Sequence, residues 1–171
     1  SAPRNGLVGY WNMDSKDFSG DTIYDMSGYD NNLTKEGATG ANNTPQSTST
    51  GKIKQAFNFD GTDDKATVAS TNGLTDFTGT EPFTVAVWVT RDETNCLAGA
   101  DERDIVSAST RRKNFTLSWG SLTDCTGRSY SFHFTYAADS AVALNYNTGN
   151  ISGEWHHLAG VYNGSTAVLY Y

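Results

Sequence analysis

The chain has 171 residues, of which 37% are hydrophobic, and its formal net charge is −7 at pH 7. This acidity argues against nucleic-acid binding, because phosphate contacts need a basic surface. No stretch is both apolar and long enough to insert into a membrane. A chain of this length can bury its own core, and we expect one β-sandwich domain over residues 1–171.

The first third of the chain is predicted to be rich in turns. Residues 6–13 have the pattern of an opening strand, and residues 22–24 that of a short strand within the turn-rich stretch 14–32. Residues 37–51 are mostly Ala, Asn, Thr and Ser. We expect them to form a surface loop that does not contribute to the core.

The middle of the chain predicts a hairpin and a central strand. Residues 53–59 form a predicted strand with Ile53, Phe57 and Phe59 in the core, and residues 65–69 are its expected partner across the turn at 60–63. Residues 83–89 alternate apolar side chains with Thr84, Ala86 and Trp88. That pattern predicts a strand with both faces covered.

The second half predicts a series of half-buried strands. Phe115, Leu117 and Trp119 alternate with polar residues, and residues 130–136 repeat the pattern, which is the period of two of a β-strand. The further predicted strands are residues 104–107, 141–144, 155–162 and 167–171. No segment has a helical pattern, so the predicted fold class is all-β, an antiparallel β-sandwich.

Five short motifs follow one another along the chain. They are Gly9-Tyr10-Trp11, residues 25–28 with Asn31 and Asn32, residues 59–61 with Asp63 and Asp64, residues 83–89, and residues 153–157. In this order they resemble the laminin-G-like, concanavalin A-like lectin/glucanase jelly roll, in its three-type laminin G variant. The resemblance covers most of the chain and implies a jelly-roll fold and a secreted or cell-surface location. It specifies function less well, because this fold hosts lectins, glycosidases, adhesins and spacers.

The resemblance also bears on the C-terminus. In the family, the strand corresponding to residues 167–171 is followed by a turn and further strands. We therefore expect the domain to be incomplete after Tyr171. The alternative is that another chain, or a second copy, supplies the missing strand by β-augmentation.

Two acidic loops are candidates for a calcium site. Asp25, Asn31, Asp60 and Asp63 supply the carboxylate and amide oxygens that calcium prefers. The resemblance allows a structural calcium without fixing its ligands. The alternative is turn chemistry, because Asp and Asn also bond to their own backbone. Calcium is the only cofactor that we expect.

The chain contains two cysteines and five N-x-S/T triplets. Cys96 and Cys125 lie in polar, loop-like stretches, where a disulfide is more common than two exposed thiols, and this indicates an oxidising compartment. The triplets begin at Asn32, Asn42, Asn114, Asn150 and Asn163, and they are candidates for glycosylation.

No catalytic arrangement is found in the sequence. Glycosidases of this fold carry a Glu-x-Asp-x-(x)-Glu run, which supplies an acid and a nucleophile at a defined separation, and the run is absent. The acidic residues 101–104 are interpreted as a solvated loop, and the basic residues 111–113 as a hairpin turn. His156 and His157 should face opposite sides of a strand, so that they cannot bind one ion together. We predict packing and a satisfied hydrogen bond for the motif 155–157.

These observations lead to two hypotheses of function. The first is a non-catalytic extracellular recognition or adhesion domain that binds a glycan or another extracellular ligand, in a site that the sequence does not define. The tyrosines that could form an exposed sugar-binding platform are Tyr29, Tyr130, Tyr136 and Tyr146. The second is a structural subunit of an extracellular filament, in which copies of the chain are joined by strand donation.

Overall fold

The structure is a computed structural model that describes residues 6–37, 45–48, 50–60, 63–68, 81–91, 101–108, 115–121, 128–137, 140–148 and 153–171. In these residues the strands are β1 (Phe18–Ser19), β2 (Thr22–Ile23), β3 (Leu33–Glu36), β4 (Gln46–Thr48), β5 (Ala56–Asn58), β6 (Lys65–Val68), β7 (Phe83–Val89), β8 (Asp101–Ala108), β9 (Phe115–Ser121), β10 (Arg128–Ala137), β11 (Ser140–Asn147), β12 (His156–Tyr162) and β13 (Ala167–Tyr170). The helical content of the described residues is one 3-10 turn, Ser15–Asp17. The predicted all-β class is confirmed.

The chain divides into two compact units, Ser1–Leu74 and Thr75–Tyr171. In the first unit β1, β2, β3 and β6 form an antiparallel sheet in that order, and β4 pairs with β5. Phe18 and Phe57 pack edge to face, with ring centroids 5.5 Å apart. The ammonium group of Lys35 lies 4.8 Å from the centre of the Phe18 ring, a favourable cation–π contact.

Several predictions for the first unit are wrong. Residues 6–13 are not part of a strand ladder, because backbone groups in this segment bond to the loop at residues 25–31. Ile53 is 66% exposed and Phe59 is 45% exposed, so neither belongs to the core. The strand around Phe57 is shorter than predicted because residues 51–54 form a turn, in which the amide of Gly51 donates to the carbonyl of Lys54 over 2.7 Å.

The predicted hairpin across residues 60–63 does not form either. β6 pairs with β3, with Leu33 opposite Val68, while β5 pairs with β4. The segment expected to be a loop thus supplies a strand at residues 46–48, and the neighbouring Pro45 is fully buried. Its exclusion from the core was therefore a wrong prediction.

The second unit consists of two antiparallel sheets. One has the order β11-β10-β9-β8, and the other has the order β13-β12-β7. Register in the first sheet places Phe132 opposite both Leu117 and Leu144. In the second sheet Leu158 lies opposite Val87. The sequence predicted all seven strands, with boundaries that differ by a few residues.

The two sheets of the second unit share one hydrophobic core. Its fully or almost fully buried members are Leu117, Tyr130, Phe132, Phe134, Leu158 and Tyr162. The ring of Phe83 on β7 lies 6.0 Å from that of Phe132 on β10, so aromatic side chains of opposite sheets meet. This is the packing of a β-sandwich, in which alternate residues of each strand fill the interior.

Gly160 allows the two sheets to come close at the centre of this core. A Cβ atom at this position would lie 2.4 Å from Cδ2 of Phe132, well inside van der Waals contact. Since Phe132 is fully buried, its ring has little room to move away. The absence of a side chain at residue 160 therefore leaves the space that the Phe132 ring occupies.

The second unit differs from expectation in three details. Within the described residues, β7 lies at an edge of its sheet, and Trp88 on its outer face is exposed. The acidic residues 101–104 belong to β8 rather than to a loop. The polar face of β9 is also buried, at Thr116 and Ser118, although the alternation predicted a half-exposed strand.

Candidate functional site

The first candidate is an acidic cluster in the first unit. Carboxylate oxygens of Asp60, Asp63 and Asp64 lie within 4.8 Å of one another. Two local hydrogen bonds shape the loop: the amide of Asp60 donates to Oδ2 of Asp64 over 3.0 Å, and the amide of Asp63 donates to Oδ1 of Asp60 over 3.3 Å. Turn-type hydrogen bonds and a group of three carboxylates are thus present at Asp60, Asp63 and Asp64, whereas the predicted calcium set joined Asp60 and Asp63 with Asp25 and Asn31.

The donor set of this cluster fits a hard cation. Calcium is bound by oxygen atoms, usually six to eight of them, and three carboxylates supply part of that number. Oδ1 of Asp64 is buried and accepts no hydrogen bond from the described residues. The residues present could therefore hold calcium if carbonyl oxygens or water complete the coordination.

Asp25, the other predicted metal ligand, is not part of this group. It is buried, and its two oxygens accept four hydrogen bonds. Oδ1 accepts from the amides of Tyr10 and Ser27, over 2.9 and 2.8 Å. Oδ2 accepts from the hydroxyl of Ser27 and the amide of Asn31, over 2.7 and 3.1 Å. The carboxylate therefore organises its own loop.

These hydrogen bonds determine the pKa of Asp25. Burial by itself would raise that pKa, but the hydrogen bonds from Ser27, Tyr10 and Asn31 together outweigh burial and hold the pKa below the usual 3.8. The carboxylate is thus kept charged by amide and hydroxyl donors rather than by a cationic side chain.

Asn31 and Asn32 extend the same network. The side-chain amide of Asn31 donates to the backbone carbonyl of Val8 over 2.7 Å, and the backbone carbonyl of Asn31 accepts from the indole of Trp11 over 2.9 Å. Oδ1 of Asn32 accepts from the amide of Asp25 over 2.8 Å. The structure thus places Asp25 and Asn31 together, away from the cluster at Asp60. Calcium binding by any of these residues stays a prediction.

The second candidate lies at one end of the second unit and was not recognised as a group in the sequence. We call it the end cluster, and it consists of Arg91, Trp119, Tyr130, Tyr146, His156 and Tyr171. Tyr130 on β10 stands opposite Trp119 on β9 and opposite Tyr146 on β11. These three residues thus occupy one row across the four-stranded sheet.

Side chains that flank the three-stranded sheet meet this row. The ring of Tyr171 lies 4.5 Å from Tyr146 and 4.9 Å from His156, and it is stacked on both. The guanidinium carbon of Arg91 lies 4.5 Å from the centre of the Trp119 ring and 5.5 Å from that of Tyr130. The end cluster is therefore an aromatic group with one permanent positive charge.

Two hydrogen-bond donors inside the end cluster, one on Tyr130 and one on Trp119, have no partner among the described residues. They are the hydroxyl of Tyr130 and Nε1 of Trp119, and both atoms are buried. Tyr130 is 0% exposed, and burial raises the pKa of its hydroxyl to about 12 despite the nearby Arg91. The phenol is thus neutral at physiological pH and can donate a hydrogen bond.

The rim of the end cluster is open to solvent. Tyr146 is 47% exposed and Tyr171 is 43% exposed. Nε2 of His156 is 3.9 Å from Oε2 of Glu154, beyond hydrogen-bond distance, and the Glu154 side chain is 71% exposed. Buried donors and exposed aromatic rings are thus adjacent, which is the arrangement that sugar-binding sites use.

The tyrosines selected from the sequence have different surroundings. Tyr29 is exposed in the first unit and Tyr146 at the end cluster, whereas Tyr130 is a core residue. The side chain of Tyr136 lies outside the described part. The sequence contained a usable signal, since Trp119 ends one alternating run and Tyr130 begins the next. Two antiparallel strands would place these aromatic residues opposite each other.

The histidine pair behaves as predicted in its orientation. His156 faces the interior and stacks on Tyr171, whereas the ring of His157 lies 5.1 Å from that of Trp88 on the outer face. Packing is therefore confirmed for His156. Nε2 of His156 has no hydrogen-bond partner among the described residues, and the hydrogen bond expected for the motif 155–157 stays a prediction.

The remaining predicted sites are tested only in part. Cys96, Cys125, Asn42, Asn114, Asn150 and residues 111–113 lie outside the described residues. Asn163 is exposed in the turn between β12 and β13, where its Oδ1 accepts from the amides of Ser165 and Thr166. Glycosylation and the disulfide stay predictions.

Comparison with known proteins gives one family. The sequence model of the laminin G 3 type, described as the concanavalin A-like lectin/glucanases superfamily, matches residues 60–171. No curated protein and no solved structure matches the chain. A search of the described residues for a helix long and apolar enough to cross a membrane finds none.

Proposed function

Since this chain belongs to the concanavalin A-like lectin/glucanases superfamily, we propose that it is a non-catalytic extracellular recognition domain that binds glycans. Laminin-G-like domains are typically extracellular, and the family suggests a carbohydrate or another extracellular ligand. Secretion and adhesion are part of this proposal.

The main support from the geometry is the end cluster. Carbohydrate recognition combines an aromatic surface for the C–H face of a sugar with polar atoms for its hydroxyls. Tyr146 and Tyr171 offer exposed rings at the end of the sandwich, and Tyr130 offers a buried hydroxyl beside them.

The absence of a catalytic motif supports the non-catalytic part of the proposal. Glu102 and Asp104 occupy alternate positions of β8, as in the Glu-x-Asp half of a glycosidase run. The positions where the second Glu would stand are Val106 and Ser107. Without that carboxylate the acid and nucleophile pair of hydrolysis is incomplete.

A glycan array tests the proposal directly. The labelled 171-residue chain is expected to bind a restricted set of glycans, both in buffer with calcium and in buffer with chelator. Incubation of the bound glycans with the protein should release no shorter products. Absence of binding under both conditions would contradict the recognition function, and release of shorter products would contradict its non-catalytic character.

We propose calcium as a structural ion at Asp60, Asp63 and Asp64. The support is the grouping of three carboxylates, one oxygen of which is buried and has no hydrogen-bond partner among the described residues. Bound calcium would neutralise the repulsion of these carboxylates and hold the three residues together.

A second candidate function is that of a subunit in an extracellular filament. β13 is at the edge of its sheet in the described residues. Its residues, Ala-Val-Leu-Tyr, include no charge or proline of the kind that protects an edge from pairing. A strand from another copy could pair with this edge. Size-exclusion chromatography with light scattering tests this idea, which requires concentration-dependent assembly. A monomer at all concentrations would contradict it.

A further inference from the structure

We propose that the end cluster is the glycan site of this domain and that it selects sugars bearing a carboxylate. This inference rests on the proposed recognition function, and it adds a location and a ligand class. It follows from three features of the cluster: the type of its unpaired atoms, its charge, and its exposed rim.

The unpaired atoms point to an acceptor-rich ligand. Nε1 of Trp119 can only donate a hydrogen bond, and the neutral hydroxyl of Tyr130 can donate as well. Both atoms are buried without a partner in the described residues, and a buried polar atom left unpaired costs free energy. A ligand oxygen that accepts from these groups would remove that cost. A carboxylate offers two such oxygens.

The charge of the cluster points in the same direction. Arg91 lies over the rings of Trp119 and Tyr130 and keeps its charge at every physiological pH. The chain as a whole carries −7, so its net charge does not favour an anionic ligand and the attraction has to come from a local cation such as Arg91. In a partly buried aromatic setting this attraction is stronger than at an open surface.

The rim explains why the ligand is a sugar rather than a small anion. Tyr146 and Tyr171 are stacked on each other at 4.5 Å and each keeps almost half of its surface in contact with solvent. Such rings pack against the C–H face of a pyranose. Both donors are buried in the free protein, so the carboxylate of the same sugar would accept from them after a side chain of the rim moves aside.

Glu154 carries a charge that opposes this ligand. Its carboxylate is 3.9 Å from Nε2 of His156, and it would repel an incoming anion. Because its side chain is mostly in solvent, its removal should leave the fold intact. Removal should also improve binding, which is an outcome that a damaged protein cannot give.

The binding experiment uses trigalacturonate and its methyl ester as a matched pair of probes. Isothermal titration calorimetry in the presence of chelator excludes bridging by calcium. We expect trigalacturonate to bind at least tenfold more tightly than the ester, because only the former carries charged acceptors. The indole N–H resonance of Trp119, assigned from Trp119→Phe, should shift when trigalacturonate is added. Galacturonate alone is expected to bind more weakly than the trimer, because it covers less of the aromatic rim.

Three variants and one control locate the site. Tyr130→Phe and Trp119→Phe are each expected to weaken trigalacturonate binding by about tenfold or more, the effect of one lost hydrogen bond to a charged group. Glu154→Gln should strengthen it by roughly twofold to fivefold, as for one partly exposed charge. Tyr170→Phe, on the outer face of β13, should change nothing.

Tyr130→Phe has a second readout. If the hydroxyl has no partner in the free protein, the variant should melt at the same temperature as the wild type or above it. A marked loss of thermal stability would show that the hydroxyl is satisfied within the fold, and this would overturn the inference.

The possible failures are distinguishable. Equal binding of the ester, or unchanged binding by Tyr130→Phe and Trp119→Phe, overturns the acidic-sugar site while leaving glycan recognition standing. The same holds if trigalacturonate does not bind but other glycans on the array do. Absence of binding to every glycan on the array overturns the recognition function and this inference together.

Discussion

At the scale of single residues, Asp25 shows how one carboxylate can organise a loop without a metal. Its oxygens accept from amides at positions 10, 27 and 31 and from the Ser27 hydroxyl. The sequence identified Asp25 and Asn31 as chemically important, and the structure confirms that both are buried and bonded. The sequence could not separate metal ligation from loop organisation, because both use the same oxygens.

We expect Asp25→Ala to destabilise the first unit by about 2–4 kcal/mol, because three backbone amides lose their acceptor in a buried site. Hydrogen exchange at Tyr10, Ser27 and Asn31 should accelerate in the variant. The matched control is Asp21→Ala, an exposed carboxylate of the same unit, which should cost under about 0.5 kcal/mol. If both variants behave alike, the network has no such role.

The pH dependence of this stabilisation follows from the lowered pKa of Asp25. A carboxyl group whose pKa is lower in the folded state than in the unfolded state stabilises the fold fully above its unfolded value of about 3.9. The stabilisation is lost as the pH falls through the folded pKa, which lies below 3.8. Urea titrations should therefore show a difference between wild type and Asp25→Ala that is constant above about pH 5 and shrinks in stronger acid. A difference that grows in acid would contradict this assignment.

At the scale of elements, local signals predicted the strands better than their partners. The alternation in residues 115–119 and 130–136 was sufficient, because each run has an apolar face that must be buried. The turn signal at residues 60–63 was misleading, because β6 pairs with β3, some 30 residues earlier in the chain. Such pairing depends on contacts between distant segments, which a local turn pattern does not contain.

A prediction at the scale of elements concerns Gly160, which allows β12 to lie close to Phe132 on β10. We expect Gly160→Ala to lower the free energy of unfolding by about 1–3 kcal/mol through overpacking against Phe132. Replacing Phe132 by Leu should cost stability in the wild type but less in Gly160→Ala, because the smaller side chain relieves the clash. Denaturant titrations of the four proteins give the coupling energy. Purely additive costs would show that the Phe132 contact is not the cause.

At the scale of the whole molecule, the fold class was predictable, whereas of the end cluster only the pairing of Trp119 with Tyr130 had a signal in the sequence. The all-β class followed from periodicity and from the absence of helical patterns, properties of each segment alone. The rest of the end cluster needed three facts that the sequence leaves open: the register of β10 and β11, the position of Tyr171, and the absence of a partner for the Tyr130 hydroxyl among the described residues. Each of these depends on the relative placement of different strands.

A prediction at the scale of the whole molecule concerns the effect of calcium on the melting temperature. An ion that binds only the folded state raises its stability, by about 2.7 kcal/mol when its concentration is a hundredfold above Kd. We expect millimolar calcium to raise the melting temperature of the chain, and Asp63→Asn to reduce that rise. Differential scanning calorimetry with magnesium as the ion control and Asp21→Asn as the variant control provides the measurement. Equal melting temperatures with and without calcium would contradict a calcium site at Asp60, Asp63 and Asp64.

The four tryptophans are divided unequally between the two compact units. Trp11 is the single tryptophan of residues 1–74, where its indole donates to the carbonyl of Asn31. Trp88, Trp119 and Trp155 belong to the other unit. A variant that retains only Trp11 therefore reports on the first unit alone. A variant that retains only Trp119, in the end cluster, reports on the second unit. Thermal melting curves of these two single-tryptophan variants, followed by fluorescence, would reveal whether the two units unfold together or one after the other.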